Sequence, residues 1–410
     1  MYYEGVDARF ISKRLGSLSG RALLRVDMNV PVKGGRVSPN NIRFKECAKS
    51  IQAYVRSGII PIIITHQGRK GDSDYMESLE EHAKVLNSML DGIEVVYSDT
   101  MNGPETERAI RSIGAGQALL LKNVRDHPDE KKELKTKDEL RNCELVKSLS
   151  RLADFYINDA PATMHRADTS LLGFRYAMDS YLGLQMEKEL AVLREMKREI
   201  DSGKWVSIIF GGKKWEKFEY IYKIAQNRNV RILCGGIPGQ SIAYLRHTGD
   251  FDSKNEGVVR GSGSLDTASK LLNNFSDRIL YPVDFVLEDG SSVYHTELKA
   301  KNQLIMDIGE ETLDRFFKVM DGSDVIIYAG PVGRYEDGFN KTIRLVSRAM
   351  SINAKSFTLG GHSADSMDDI SFDKSYEALG GKRITSGGSG LAFLAGDRLP
   401  PLEAFESSGT

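Results

Sequence analysis

The sequence predicts an α/β protein of two doubly wound parallel-sheet, Rossmann-like domains joined by a hinge helix. Short β-branched and aliphatic runs alternate with longer amphipathic stretches. Those runs are apolar on nearly every residue, as in strands covered on both faces. They fall into two sets of about five, each enough for one sheet. The chain has 410 residues, and a single hydrophobic core stops growing at roughly 250–300.

In the first half the strands are expected at 23–26, 60–65, 94–97, 118–121 and 155–158. In the second half they are expected at 206–210, 230–234, 279–283, 325–328 and 357–359. Each ends in or just before Gly, Asn, Asp or Thr. The intervening helices read at 44–55, 79–90, 184–200, 311–320 and 342–350, where apolar residues recur at helical spacing. The 184–200 helix falls between the two sets and is the natural connector. It places Met186 and Met196 on its core stripe. The domains are expected at 1–183 and 184–390.

Composition narrows the class. Lys and Arg number 56, Asp and Glu 57, which excludes a globally basic nucleic-acid binder. Cys47, Cys143 and Cys234 are far apart, without a CxxC spacing. They read as small hydrophobes in a reducing compartment. The N-terminus lacks a basic region followed by an apolar run, and no stretch is apolar enough to span a membrane. A cytoplasmic protein with neither membrane nor nucleic-acid partners is expected. The charged run 126–140 reads as a solvated loop and helix face. His82 and His127 read as surface residues. Trp205 and Trp215 read as packing residues flanking a strand.

Ligands of open α/β sheets bind beyond the carboxyl ends of the strands. There the first half delivers Arg43, Arg69, Arg125 and Arg166, with His66 and His165. Four guanidiniums in one cleft call for an anion, and Arg has the planar fork for phosphate or carboxylate. Asp27 and Asn29 follow the first strand at i and i+2. Either a substrate hydroxyl or one of the arginines is a suitable partner for Asp27. The second half instead places glycine turns after its strands: Gly211-Gly212, Gly235-Gly236, Gly330-Pro331, Gly360-Gly361 and Gly387-Gly388. Such turns let backbone approach phosphates or an adenine ring, and Lys214 adds a cation. Neither a P-loop nor a dinucleotide fingerprint is present. A small-anion lobe and a nucleotide lobe make the layout of a two-domain kinase that closes to exclude water.

The motifs resemble those of phosphoglycerate kinases over essentially the whole chain. Arg25-Val26-Asp27-Met28-Asn29-Val30-Pro31 is similar to that family's RVDFNVP. Thr65-His66-Gln67-Gly68-Arg69 is similar to SHLGR, and Asn123-Val124-Arg125-Asp126-His127-Pro128 to ENLRFHP. Asn158-Asp159-Ala160, Pro282-Val283-Asp284-Phe285, Asp307-Ile308-Gly309 and Gly330-Pro331-Val332-Gly333 also match. So does the connector beginning Gly183-Leu184.

The resemblance implies reversible phosphoryl transfer between 1,3-bisphosphoglycerate and ADP, giving 3-phosphoglycerate and Mg-ATP, as in glycolysis and gluconeogenesis. Asp27, Asn29, Arg43, His66, Arg69, Arg125 and Arg166 would bind phosphoglycerate. Arg43 would also stabilise the transferring phosphoryl group. Gly212, Lys214, Gly235, Gly236, Pro331, Glu336, Gly361, His362 and Ser363 would bind the nucleotide, with Lys214 on its phosphates. Residues 391–410 would pack back on the N-terminal domain.

The departures lie in the nucleotide half. Phe218 stands where the family has a second lysine, and Lys217 is one residue out of register. On a helix starting near Trp215, that offset aims Lys217 away from the cleft. His362 replaces a carboxylate that helps hold Mg²⁺, an ion that prefers oxygen ligands. Two other readings share these motifs: a kinase for another small phosphorylated carboxylic acid, and a catalytically silent phosphoglycerate-binding paralogue.

Overall fold

The computed structural model describes residues 2–134, 136–213, 217–360 and 375–406, apart from the side chain of Glu336. The chain forms two compact units, Met1–Ala191 with Arg398–Thr410, and Val192–Asp397. The sequence placed these divisions at 183/184 and 390/391. No helix among the described residues is long and apolar enough to cross a membrane.

In the first unit, β1 (Gly20–Val26) leads into a two-stranded hairpin, β2 (Val32–Lys33) with β3 (Arg36–Val37), and then the helix Ile42–Arg56. The strands β4 (Ile59–Ile64), β5 (Glu94–Tyr97), β6 (Gln117–Leu120), β7 (Phe155–Asp159) and β8 (Ser180–Leu182) follow. With β1 they form a parallel sheet in the order β5-β6-β4-β1-β7-β8. Four of the five expected strands in this half shift by a few residues, and β5 matches. The sheet is double-faced: Ile62, Ile63 and Ile64 are all fully buried, as are Leu23 and Leu24. One face is covered by Phe44, Cys47, Ile51 and Tyr54 of the helix Ile42–Arg56. Phe44 and Ile51 each contribute about 1.5–3 kcal/mol on burial.

In the second unit, β9 (Val206–Phe210), β10 (Val230–Cys234) and β11 (Ile279–Leu280) fill one side of the sheet. A small antiparallel sheet of β12 (Asp284–Leu287), β13 (Ser292–Tyr294) and β14 (Ile305–Ile308) follows. The strands β15 (Val325–Tyr328), β16 (Lys355–Leu359) and β17 (Lys382–Ile384) complete the main sheet, ordered β11-β10-β9-β15-β16-β17 and parallel throughout. The antiparallel strands and the short β8 and β17 carry no long apolar run, so the sequence pattern does not mark them.

Three motif carboxylates are architectural. Asp159 accepts from the Met186 N–H and the Tyr54 hydroxyl, both at 2.9 Å, and so pins the start of the connecting helix Leu184–Asp201. A Cβ on Gly183 would lie 2.2 Å from the Asp159 carboxyl carbon, so only glycine fits there. Asp284 caps the helix Glu310–Asp321 by accepting from the N–H groups of Glu311 and Thr312 at 3.0 and 2.8 Å. Asp307 accepts from the N–H groups of Ile308 and Lys341 at 2.9 and 3.1 Å. On the connecting helix, Met186, Leu190, Leu193 and Met196 are buried as expected. The cysteines are free, Cys47 and Cys234 buried and Cys143 half-buried.

Residues Arg398 onward group with the first unit. The Tyr3 hydroxyl accepts from the Leu399 N–H at 2.9 Å, and Ala404 packs with Leu140 and Leu172. Residues 391–394 instead end the helix Gly388–Leu394 of the second unit.

Four local expectations are corrected. His82 is buried, because the helix Glu80–Met89 turns it inward with Ala83 and Leu86 while Glu80, Glu81 and Lys84 ion-pair outside. His127 is buried too, its Nδ1 accepting from the Asp129 N–H at 3.2 Å. The charged run is not wholly solvated: Asp129 and Glu130 point inward, and Asp129 accepts from the Leu145 N–H at 3.2 Å. Trp205 is 44% exposed, with the Arg231 guanidinium 4.3 Å over its ring. Trp215 lies outside the described residues.

Candidate active site

In the first unit, β6, β4, β1 and β7 are consecutive in the sheet, and their carboxyl ends carry the predicted residues. The chain leaves β1 toward β4 on one side and returns to β7 on the other. That switch of direction opens the crevice where ligands of such sheets bind.

Asp27 and Asn29 lie just past β1. Asp27 is buried and pairs with Arg43 at 2.5 Å, while its other oxygen accepts from the Asn29 N–H at 3.1 Å. Arg43 is the second residue of the helix Ile42–Arg56, whose N-cap Asn41 accepts from the Arg43 N–H at 2.9 Å. The arginine therefore stands at the positive end of the helix dipole. The Asn29 side-chain oxygen accepts from the Gly68 N–H at 2.8 Å and so ties the β1 loop to the β4 loop.

His66 follows β4 and is buried. Its Nδ1 lies 3.0 Å from Nη2 of Arg25. A guanidinium has no acceptor, so Nδ1 accepts and the ring proton sits on Nε2. Burial holds the imidazole well below its ordinary range, and Arg25, Arg125, Arg166 and Arg43 push the same way. His66 is thus a neutral Nε2–H donor. Arg25 is fully buried inside β1 and bonds the Ser170 hydroxyl at 2.9 Å. Ser170 in turn donates to Glu130 at 2.7 Å. Burial raises the Glu130 carboxyl to about 7.

Arg69 is exposed and follows Gly68, whose φ is +62°. A Cβ on Gly68 would lie 2.4 Å from the Tyr75 Cα, so glycine alone allows the loop to close there. Arg125 sits in the single turn Val124–Asp126, capped by Asn123 at 3.1 Å, and one Nη1 proton goes to the Gly68 carbonyl. Arg166 and His165 follow the turn Pro161–Thr163 after β7. Burial, then Arg166, lowers Arg125 to about 10. Burial lowers Arg166 too, against the opposing pull of Asp27 and Asp168.

Four buried donor nitrogens in this basin have no acceptor in the described structure: Nε2 of His66, Nε and Nη2 of Arg125, and Nη1 of Arg166. Buried polar groups are rarely left so. Their convergence under mutually repelling arginines suits a bound anion. Asp27, Asn29, Arg43, His66, Arg69, Arg125 and Arg166 are thus brought to one sheet edge. Sequence reasoning missed Arg25, Ser170 and Glu130 as its support. The only signal was an arginine inside an otherwise apolar strand.

In the second unit the glycine turns meet one another. The Gly212 N–H donates to the Pro331 carbonyl at 2.8 Å, Gly236 to Val332 at 2.7 Å, and Gly235 to Phe210 at 2.8 Å. A Cβ on Gly211 would lie 2.1 Å from the Pro331 oxygen, and one on Gly235 would lie 2.4 Å from the Val332 Cβ. The N–H groups of Gly212, Gly235 and Gly236 are thus spent inside the fold, which, of the phosphate and the adenine ring that the sequence left open for these turns, suits the ring. The glycines bring the ends of β9, β10 and β15 close against Pro331 and Val332, a floor without projecting glycine side chains that suits a flat ring.

Among the described residues, the helix after β9 runs over Lys217–Ile224. The Lys217 ammonium lies 3.9 Å from where a Cβ on Gly387 would stand, at the entry to the helix Gly388–Leu394. It therefore reaches the turn after β17. Lys214, Gly361, His362 and Ser363 lie outside the described residues. Glu336 lies in the turn Tyr335–Asp337.

A family model described as phosphoglycerate kinase matches residues 15–397. A phosphoglycerate kinase from Sulfurisphaera tokodaii is 34% identical, across 95% of this chain and 94% of its own length. One from Methanopyrus kandleri is 32% identical across 93% of each. The crystal structure of phosphoglycerate kinase from Pyrococcus horikoshii superposes with a TM-score of 0.83 at 30% identity, covering 97% of this chain and 98% of that one. The Coxiella burnetii structure shares the fold, with a TM-score of 0.66 at 23% identity. With family match, relatives and structure agreeing over nearly the full length, the chain belongs to the phosphoglycerate kinase family, and it is a phosphotransferase.

Proposed function

We propose that this chain transfers the acyl phosphate of 1,3-bisphosphoglycerate to ADP, reversibly, giving 3-phosphoglycerate and ATP. The observation that carries the substrate assignment is the basin of unpartnered donors on His66, Arg125 and Arg166. These groups, with Arg69, hold the non-reacting phosphate and the carboxyl end by charge-assisted hydrogen bonds. Asp27 and Asn29 orient the glyceryl backbone and the loops around it. Arg43, fixed by Asp27, stabilises charge on the phosphoryl group in flight.

A β-phosphate oxygen of ADP attacks the phosphorus, the bond to the carboxyl oxygen breaks, and carboxylate leaves. Mg²⁺ arrives with the nucleotide as part of the substrate. Gly212, Gly235, Gly236 and Pro331 form the floor under the base. Glu336 takes the ribose, and Lys214, Gly361, His362 and Ser363 the phosphates. Direct transfer requires the two ligands to meet, so turnover includes closure of the two lobes. The reaction belongs to the cytoplasm.

The alternatives, another phosphorylated acid or a silent paralogue, are not favoured. The test is a coupled assay with 3-phosphoglycerate and Mg-ATP. Turnover supports the reading. Turnover only with a different phosphorylated acid, or phosphoglycerate binding without turnover, sinks it in favour of the corresponding alternative.

A further inference from the structure

Away from the glycine turns, the second unit gathers two histidines and a carboxylate. His247 ends the helix Gly236–Arg246, and its N–H donates to the Ala243 carbonyl at 2.9 Å. Asp250 follows on the same tight turn, its N–H donating to the His247 carbonyl at 3.0 Å. His295 comes from the far side of the small sheet, tied by its N–H to the Val283 carbonyl at 3.2 Å. Nδ1 of His295 lies 2.7 Å from Asp250 Oδ2. The two imidazoles stack with centroids 3.7 Å apart and planes at 18°. One ligand atom from each residue lies within 4.8 Å of the others, and all three residues are half-buried, open to solvent.

We propose that His247, Asp250 and His295 form a binding site for a borderline divalent transition metal, with Zn²⁺ as the ion of reference. It is the only such three-residue group among the described residues.

Three features support it. Nothing among the described residues hydrogen-bonds the His247 ring, so its coordinating nitrogen is not committed elsewhere. Two imidazoles and a carboxylate are a donor set that Zn²⁺ accepts and Mg²⁺ does not favour. All three backbones are pinned, so only side-chain rotation is needed. Metal–nitrogen bonds of about 2.0–2.1 Å require the stacked rings to fan apart about their side-chain bonds and draw the three ligand atoms together. Water completes the shell. The ion would tie the end of the helix Gly236–Arg246 to the small sheet.

The test uses the full chain, freed of metal with a chelator and without nucleotide, titrated calorimetrically with Zn²⁺. One equivalent is expected to bind, with excess Mg²⁺ failing to displace it. His247→Gln and His295→Ala should each weaken binding by about tenfold or more. His247→Gln keeps the test valid should His295→Ala unfold, because the His247 ring holds no hydrogen bond among the described residues. Zn²⁺ at about a hundredfold excess over its Kd should raise the melting temperature by about 5 °C or more, an increase absent from the variants. No saturable binding, or equal affinity in wild type and His247→Gln, overturns the proposal.

Discussion

Arg25 reaches from inside β1 to Nδ1 of His66 at 3.0 Å, and this bond decides which imidazole nitrogen faces the anion basin. Since the guanidinium only donates, His66 presents Nε2–H, and the surrounding arginines keep the ring neutral. Nitrogen NMR at pH 6 should show His66 as the neutral Nε2–H tautomer. Phosphoglycerate affinity should show no step near the ordinary histidine range of about 6.5. Arg25→Met should raise KM for phosphoglycerate about tenfold or more, because the ring loses its fixed tautomer. A tighter KM as His66 protonates between pH 7 and 6 would show that the ring is not held neutral.

Arg43 should matter more to turnover than to affinity. Arg43→Ala should lower kcat by about 10³ with far-UV circular dichroism unchanged, as loss of a charge-stabilising group in phosphoryl transfer does. It also leaves the buried Asp27 without its partner at 2.5 Å, so stability should fall by about 1–3 kcal/mol. Near-normal kcat together with the stability loss would make Arg43 a partner for Asp27 and nothing more.

Lys217 should contribute to nucleotide binding, since its ammonium reaches the turn at Gly387. Lys217→Ala should raise KM for Mg-ATP about tenfold while KM for phosphoglycerate stays constant, as loss of a charge-assisted contact to phosphate predicts. Comparison with Lys214→Ala apportions the role of the missing second lysine. If only Lys214→Ala raises KM, the turn at Gly387 that Lys217 reaches is not part of the phosphate site.

His82 should make stability acid-sensitive. Burial lowers it to about 4. The unfolded chain therefore takes up a proton near 6.5 that the folded one refuses. The native state gains from this group above 6.5 and loses as pH falls toward 4, by about 3 kcal/mol in all. Urea unfolding of wild type against His82→Gln, from pH 7 to 4, should show the difference shrinking or reversing in favour of the variant. Parallel curves would mean that His82 does not titrate differently on folding.

The legible parts of the chain were those where one local pattern has one physical meaning. The apolar run Val206–Phe210 can bury both faces only inside a parallel sheet, so its bounds were readable. Arginine after a strand was readable because strand ends gather on one edge. His82 was not, since Glu80, Glu81 and Lys84 dominate its local composition while helix rotation alone turns it inward. Nor was the direction of Lys217 readable, since one residue of helix start changes it by about 100°.

The sequence by itself determined the two parallel sheets, the arginine set, the glycine turns and the family to which they belong. Those properties are written in residue type and spacing. Tertiary structure alone decided that Arg25, Ser170 and Glu130 stand behind His66, and that the glycine N–H groups are spent inside the floor. It alone brought His247 to His295, 48 positions away by their numbers. Hydrogen bonding is directional and short-ranged. Which donor meets which acceptor across β1, β4 and the helix behind them is therefore set by packing, which no local pattern encodes.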